Sequence, residues 1–315
     1  MMRFINELRE GDVISGIYLC KNKQALKTKA GKTYYSMLLQ DKTGTLDAKI
    51  WELNNGIEHF ESLDFIKVDG QITSFQGALQ ANIRRVRRTQ EMEYDVKDYL
   101  PTSRFSADEM MRELTGYIRQ IGQPHLRALL ESFFVNDPAF IKSFKEHSAA
   151  KSVHHGFVGG LLEHTLSVTK LCDFYCTRYP LLNRDLLLTA AMCHDIGKTR
   201  ELSLFPANDY TDEGQLIGHI VTGTEMVHDK IRDIPGFPEA LAHELKHCIL
   251  AHHGELEYGS PKKPALMEAA ALNLADNTDA KMETMTEIFA GSPDTLEWLG
   301  YNRLFESNLR KTSRS

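Results

Sequence analysis

Histidines are concentrated in one part of this 315-residue chain, since 11 of the 13 lie between His147 and His253. Such enrichment is typical of residues that ligate a metal or carry a proton. The centre of the cluster is the segment Cys193-His194-Asp195-Ile196-Gly197-Lys198, which follows an apolar run at 186–192. Imidazole and carboxylate donors together suit Mn, Fe, Co or Zn, and a mixed set with open positions suits hydrolysis.

Further donors of the same types flank this segment. His164 lies upstream in Gly-Gly-Leu-Leu-Glu-His-Thr-Leu, and the downstream donors are His219, His252, His253 and Asp276. Because His194 and Asp195 are adjacent, one carboxylate can bridge two ions while the neighbouring imidazole binds one of them. Satisfied core histidines are the alternative interpretation, and it has most weight for His219 or His252 taken alone.

The order of these residues resembles the HD superfamily of metal-dependent phosphohydrolases, and the additional histidines resemble its two-metal members. The resemblance implies two ion sites that share one carboxylate. The residues it implies for the first ion are His164, His194, Asp195 and Asp276. Those it implies for the second ion are Asp195, His219 and either His252 or His253. Asp279 shares a helical face with Asp276 and is an alternative ligand.

Several residues near these motifs are candidates for contact with a substrate. Lys198, three residues after Asp195, is a candidate catalytic residue that stabilises the transition state or protonates the leaving oxygen; a surface lysine is the alternative. The candidates for contact with a substrate phosphate are His154, His155, Ser260 and Lys262. A helix-entry turn explains the two histidines equally well, and a solvated basic turn explains the other two.

The elements that must position these residues are helical. From about residue 103 the apolar residues recur at helical spacing, and this spacing predicts helices over 158–178, 184–194, 213–231, 238–253, 264–280 and 282–289. We expect four regions along the chain: an OB-fold domain at 1–95, a helical linker region at 96–150, an HD domain at 151–300 and a tail at 301–315.

The N-terminal part has the composition of short strands. Partial alternation of apolar residues predicts strands at 12–20, 33–40, 45–51, 64–74 and 78–86. A helix is predicted over 52–63, because four apolar residues recur there at helical spacing. Five strands with a helix after the third is the order of an OB-fold. The predicted fold is therefore multidomain α+β, with a five-stranded OB-fold barrel followed by an all-α HD-type domain.

This barrel offers candidate contacts with nucleic acid. Tyr34, Tyr35, Trp51 and Phe75 are candidate platforms for stacked bases, and Lys49 is a candidate backbone contact. Core packing is the alternative for each aromatic residue. If Tyr34 and Tyr35 lie in one strand they point to opposite faces, so one of the two is buried, and the sequence leaves open which.

Charge and composition narrow the functional class. Residues 1–90 hold 14 Lys and Arg against 10 Asp and Glu, and the remainder holds 23 against 33. This asymmetry suggests a basic module joined to an acidic one, with ordinary surface scatter as the alternative. No uncharged apolar run approaches the ~18 residues of a membrane span. The first residues carry acidic groups and no apolar signal core, so we expect a cytoplasmic protein with no membrane contact.

The order of barrel, helical linker and the motifs Gly-Leu-Leu-Glu-His-Thr, His-Asp-Ile-Gly-Lys and His-His-Gly-x4-Gly-Ser-Pro-Lys resembles the YhaM family of bacterial 3′-5′ exoribonucleases. The resemblance covers nearly the whole chain. It implies removal of nucleoside 5′-monophosphates from single-stranded RNA with two divalent ions, Mn²⁺ or Co²⁺ being favoured. Fe, Zn or Mg, a DNA substrate and a homo-oligomer remain open.

Two other functions remain as alternatives. One is an HD-type phosphohydrolase of free or cyclic nucleotides, which would keep its activity without residues 1–95. The other is a non-catalytic RNA-binding regulator, and the complete set of ligands argues against it.

Overall fold

The computed structural model describes residues 3–151, 155–292 and 295–313. The chain divides into two compact units, of which the first is Met1–Thr102 with Phe205–Ala207 and the second is Ser103–Leu204 with Asn208–Ser315. The first unit is built mainly from strands and the second mainly from helices. This arrangement confirms the predicted α+β fold class.

Five strands of the first unit close into a barrel in the order β1-β2-β3-β5-β4. Strands β3 and β5 pair in parallel, and the other neighbours pair antiparallel. Along β4, alternate residues are buried, as the pleat of a barrel strand requires. The strands are β1 (Val13–Lys27), β2 (Thr33–Asp41), β3 (Gly44–Ile50), β4 (Phe65–Phe75) and β5 (Ala78–Arg88).

The helix predicted over 52–63 is wrong, because this segment is an irregular connection. The Asn54 side-chain oxygen accepts a hydrogen bond from the backbone N–H of Gly56, which closes a turn in place of a helical start. Ile57 then forms a β-bridge to Val86, and Phe60 is fully buried in the barrel core. The apolar residues of 52–63 therefore have helical spacing because individual side chains are buried in the barrel, although the backbone is not helical.

Ten helices are formed by the described residues of the second unit. The two helices predicted over 264–289 are one continuous helix, and the one predicted over 213–231 is divided near Gly218. The helices are α1 (Ala107–Gln120), α2 (Pro124–Phe134), α3 (Pro138–Glu146), α4 (Gly160–Arg178), α5 (Arg184–Cys193), α6 (Lys198–Glu201), α7 (Asp212–Leu216), α8 (His219–Arg232), α9 (Glu239–Leu250) and α10 (Met267–Ala290). A short hairpin, β6 (Tyr301–Asn302) and β7 (Ser307–Asn308), follows them.

Helix α5 lies at the centre of the helical core. All its residues from Leu186 to Cys193 are buried, so the helix is surrounded on every side by other elements. Helices α1–α3 contribute Leu114, Leu130 and Phe144 to the same core, although the sequence suggested a separate linker region at 96–150. Packing therefore joins these helices to the unit that carries the histidine cluster.

None of the helices in the described part of the chain combines the length and apolarity that a membrane span requires.

Candidate metal centre

The predicted metal ligands come from five places in the helical unit and meet in one cluster. His164 lies in the second turn of α4, and Asp276 lies in the middle of α10. The remaining residues sit at helix ends, where the chain leaves α5 and α9 and where it begins α8. The cluster consists of His164, His194, Asp195, His219, His252, His253 and Asp276.

The Asp195 carboxylate lies between the two halves of this cluster and is only 2% exposed. Its Oδ2 lies 3.4 Å from His194 Nε2 and 3.5 Å from His164 Nε2. Its Oδ1 lies 3.4 Å from His219 Nε2 and 3.6 Å from His252 Nε2. One oxygen thus faces each set of imidazoles, which is the arrangement expected of a carboxylate shared by two cations.

Each half of the cluster contains three residues whose ligand atoms lie within 4.8 Å of one another. The first group is His164, His194 and Asp276, in which His164 Nε2 lies 3.2 Å from Asp276 Oδ1. The second group is His219, His252 and His253. The sequence left open which of the two adjacent histidines faces the second ion, and the structure brings both within reach of it.

Two glycines allow α8 to begin beside the His-Asp turn. A Cβ atom on Gly197 would lie 2.1 Å from the carbonyl oxygen of His219, so any larger residue would push the two segments apart. Gly218 has a φ of 80°, a conformation that glycine adopts at little cost, and His219 follows as the first residue of α8. The glycine of the His-Asp-Ile-Gly-Lys motif is therefore required by close packing.

All five imidazoles of the centre are oriented by a bond at the opposite ring nitrogen. The Nδ1–H groups of His194, His252 and His253 each donate to a backbone carbonyl oxygen at 2.7 Å. His164 and His219 instead use carboxylate acceptors, at 2.7 and 2.9 Å. Because Nδ1 carries the hydrogen in each ring, the lone pair of Nε2 is directed toward the cluster.

Three buried atoms at the middle of the cluster have no hydrogen-bond partner among the described residues: Asp195 Oδ1, His219 Nε2 and His252 Nε2. An unsatisfied buried polar atom costs about 1–3 kcal/mol, so three that converge on one point require an explanation. All three are lone-pair donors of the kind that divalent metals bind. The residues present therefore fit a divalent cation.

The electrostatics of the centre favour the same ligand. Burial raises the pKa of Asp195, but Lys198 and His194 outweigh this effect and hold the pKa well below its usual range. Burial also lowers the pKa of His252 well below its usual value, so this ring is neutral and its Nε2 lone pair is available. For His164, burial lowers the pKa, but Asp276 and Asp279 outweigh it and raise the pKa to about 10. The acidic groups around this ring thus favour positive charge at its Nε2, which a divalent cation would supply in place of the second proton.

Lys198 is not a surface lysine. Its Nζ lies 2.7 Å from Asp195 Oδ2, and its side chain is only 14% exposed. Burial lowers its pKa, but the neighbouring Asp195 raises it above the usual value, so the ammonium group stays charged. A fixed positive charge therefore lies directly beside the Asp195 carboxylate.

The other substrate-contact candidates have varied surroundings. His155 is buried, and its Nε2 lies 2.9 Å from Asp279 Oδ2. The buried Ser260 hydroxyl donates to the carbonyl oxygen of Leu250, the last residue of α9, which is a structural contact between the loop and that helix. Lys262 is exposed in that loop, and His154 lies outside the described residues. A phosphate contact by any of these four stays a prediction.

The predicted nucleic-acid residues of the barrel separate into inner and outer ones. Tyr35 packs edge-on against the buried Phe60, whereas Tyr34 stacks on Trp51 with ring centroids 4.6 Å apart. Trp51 is 43% exposed and Phe75 is 60% exposed. Lys49 lies 2.9 Å from Asp47 Oδ1, so its charge is already paired within the barrel.

Sequence reasoning missed Glu201, whose Oε1 accepts the hydrogen of His219 Nδ1. The two residues are 18 positions apart and lie on different helices, so no spacing rule connects them. Asp279 was considered as a metal ligand, and the structure places it against the Nδ1 side of His164.

Comparison with known proteins places this helical unit in a defined class. The family model of the HD domain matches residues 161–281, a range that contains every residue of the cluster. The helical unit therefore contains an HD domain. Enzymes with this domain depend on divalent metals.

Curated relatives match most of the length of the chain. The 3′-5′ exoribonuclease YhaM of Bacillus subtilis (strain 168) is 33% identical over 277 residues, which are 87% of each chain. The protein of the same name from Geobacillus sp. (strain WCH70) is 35% identical over 254 residues, covering 80% of this chain and 77% of the relative. The chain belongs to the YhaM family.

Among solved structures, the second OB-fold domain of replication protein A from Methanococcus maripaludis matches with a TM-score of 0.22 and 19% identity. The match covers 29% of this chain and 97% of that chain. Such a score does not establish a fold, and the barrel is identified here by its closure and strand order.

Proposed function

We propose that this chain is a metal-dependent 3′-5′ exoribonuclease that shortens single-stranded RNA and releases nucleoside 5′-monophosphates. The observation that carries the proposal is the Asp195 carboxylate, which faces one group of donors with each oxygen. Membership of the YhaM family, whose curated relatives are named 3′-5′ exoribonucleases, supports the polarity and the substrate.

Two divalent ions fit the two groups of donors. The residues that would hold the first are His164, His194, Asp195 and Asp276, and those that would hold the second are Asp195, His219, His252 and His253. Mn²⁺ or Co²⁺ suits these nitrogen and oxygen donors. The chemistry supplied by such a pair, when bound, is polarisation of a phosphoryl group and activation of a water.

Lys198 supplies a charge that the reaction needs. Its ammonium group lies beside Asp195, and this salt bridge keeps it charged and holds its Nζ in place. Negative charge grows on the leaving oxygen as the phosphodiester bond breaks, and a fixed cation at that position stabilises it. We therefore assign Lys198 to stabilisation of the transition state and Asp195 to the shared ligand position.

The barrel supplies affinity for the strand. Trp51 is held in place by its stack on Tyr34 and by a 3.0 Å hydrogen bond from its Nε1 to Asn82, and part of its ring faces solvent. Bases stack on such platforms with little dependence on sequence. The basic excess of residues 1–90 attracts the phosphate backbone.

The decisive experiment incubates the purified protein with 5′-end-labelled single-stranded RNA and with the matching DNA, in Mn²⁺, in Co²⁺ and in EDTA. We expect a ladder of RNA fragments shortened from the 3′ end in either metal and none in EDTA, with 5′-monophosphates as products. Early release of the labelled 5′ nucleotide would contradict the polarity. Cleavage of cyclic dinucleotides with intact RNA would support the alternative phosphohydrolase instead.

A further inference from the structure

The five imidazoles of the metal centre differ in what orients them. Three rings donate their Nδ1–H to backbone carbonyls, which belong to Ala191, Ile249 and Tyr258. The other two rings are oriented by side chains, and each of these lies in a different group of donors. His164 of the first group contacts Asp279, and His219 of the second group contacts Glu201.

Asp279 is built into the interior behind His164. Its Oδ2 lies 2.7 Å from His164 Nδ1 and 2.9 Å from His155 Nε2, and its Oδ1 accepts a hydrogen bond from the Ser167 hydroxyl. Its side chain is 10% exposed. Three donors therefore fix the carboxylate, and the carboxylate in turn fixes the ring whose Nε2 faces Asp276.

Glu201 has an equivalent place behind His219. Its Oε1 accepts hydrogen bonds from the His219 backbone N–H at 3.0 Å and from its Nδ1 at 2.9 Å. Both bonds go to the same residue, so the first turn of α8 and its imidazole are held by one oxygen. The side chains of both residues are 12% exposed, which shields the pair from competing water.

We propose that Asp279 and Glu201 are positioning residues, each of which sets the affinity of one ion site through a single imidazole. The inference rests on the proposed metal centre. A carboxylate that accepts the Nδ1 hydrogen fixes the tautomer and ring plane of a ligating histidine and makes its Nε2 a stronger donor. Asp279 acts on the first site through His164, and Glu201 acts on the second through His219.

Asp279 also lies within ligating distance of His155 and His164, so direct metal binding by Asp279 is the competing interpretation. The present assignment differs because Asp279 contacts the Nδ1 edge of His164, whereas Asp195 and Asp276 contact its Nε2. A positioning residue loses its effect when the ring through which it acts is absent. A direct ligand keeps its effect.

The test titrates Mn²⁺ alone into the full-length protein by calorimetry, with no RNA present. Asp279→Asn should lower the Mn²⁺ affinity of the first site by about 10–100-fold, and Glu201→Gln should lower that of the second site by a similar factor. In each variant the other site should keep nearly its wild-type affinity. Glu239→Gln is the matched control, because Glu239 lies beside His243 on the exposed surface of α9. It should bind both ions as wild type does.

A double-mutant cycle then assigns each carboxylate to its ring. In a His164→Ala background, Asp279→Asn should change the residual Mn²⁺ affinity of the first site less than twofold, while Glu201→Gln should still weaken binding at the second site. In a His219→Ala background, Glu201→Gln should change the residual affinity of the second site less than twofold, while Asp279→Asn should still weaken binding at the first site. Melts of the metal-free variants, followed by circular dichroism, show whether each chain is folded. If Asp279→Asn does not fold, Glu201→Gln and its cycle carry the test.

Several outcomes would overturn the inference. Wild-type affinity for both ions in both carboxylate variants is one, and an undiminished effect of Asp279→Asn without His164 is another. A wild-type protein that binds neither Mn²⁺ nor Co²⁺ contradicts both this inference and the proposed function. Two site-selective losses in a protein that leaves RNA intact support the inference while contradicting the exoribonuclease proposal.

Discussion

The metal centre and the barrel surface around Trp51 differ in how deeply their side chains are buried and how firmly they are held. The donors of the centre are largely buried, and every imidazole is held at its second nitrogen. On the barrel, Trp51 has one stacking partner and one hydrogen bond, and much of its ring stays exposed. Hydrolysis requires atoms held in fixed positions, whereas capture of an arbitrary strand requires an accessible surface that tolerates any base.

The two regions also differ in charge. The carboxylates of Asp195, Asp276, Asp279 and Glu201 lie in the centre or directly behind its rings, together with the ammonium group of Lys198, and this excess of acidic groups favours cations. Residues 1–90 carry more basic than acidic side chains, which favours phosphates. A single substitution should therefore remove catalysis in one region and only reduce affinity in the other.

Asp195→Ala should have the largest effect. Because the carboxylate faces both groups of donors, its loss dismantles both ion sites, and we expect the turnover of RNA to fall by about 10³-fold or more. Binding of RNA, measured by fluorescence anisotropy with the wild type as control, should remain within a few-fold. Turnover close to wild type in excess Mn²⁺ would contradict the assignment of Asp195.

Removal of metal should abolish activity without unfolding the chain. The helical unit has an extensive apolar core that contains Leu114, Phe144 and Leu187, so it does not depend on ions for its fold as a zinc finger does. We expect EDTA to stop hydrolysis and to leave the helical circular dichroism signal intact at room temperature. Activity should return with added Mn²⁺. A collapse of the helical signal would show instead that the ions are structural.

Lys198→Met should have an intermediate effect. Loss of a charge that acts mainly in the transition state lowers kcat by about 10²–10³-fold, while KM changes far less. Steady-state kinetics on a short RNA separates the two parameters. An increase in KM alone would make Lys198 a residue that only binds substrate, and unchanged kinetics would remove it from the mechanism.

Trp51→Ala should have the smallest effect, and it should be limited to long substrates. One stacked base contributes about 1–3 kcal/mol, so the affinity for long RNA should fall about 5–150-fold. The slope of log K against log salt should stay unchanged because no phosphate contact is lost. Hydrolysis of a nitrophenyl ester of a nucleotide should be unaffected. Trp298→Ala, an exposed tryptophan of the helical unit, is the matched control; equal losses in both variants would contradict a specific platform.

The barrel illustrates how far pattern analysis reaches. Alternation of apolar residues predicted all five strands, because each strand has one face in the barrel core. The same analysis failed over 52–63, where the Asn54 turn and the burial of Phe60 outweigh a helical spacing. It also left the roles of Tyr34 and Tyr35 open, and the strand register and core decided that Tyr35 faces inward.

Candidate ligands for the metal centre could be named from the chain alone, because chemistry restricts the residue types and the resemblance to the HD superfamily implies which ones; their binding of metal stays a prediction. Only a few residue types bind divalent cations, and several here stand in short motifs such as His194-Asp195 and His252-His253. The partners that orient the rings required the folded structure. His219 meets Glu201 across 18 positions and His164 meets Asp279 across 115, and both pairings arise from helix packing. A local pattern specifies which groups a site can use, and only tertiary contacts specify how they are held.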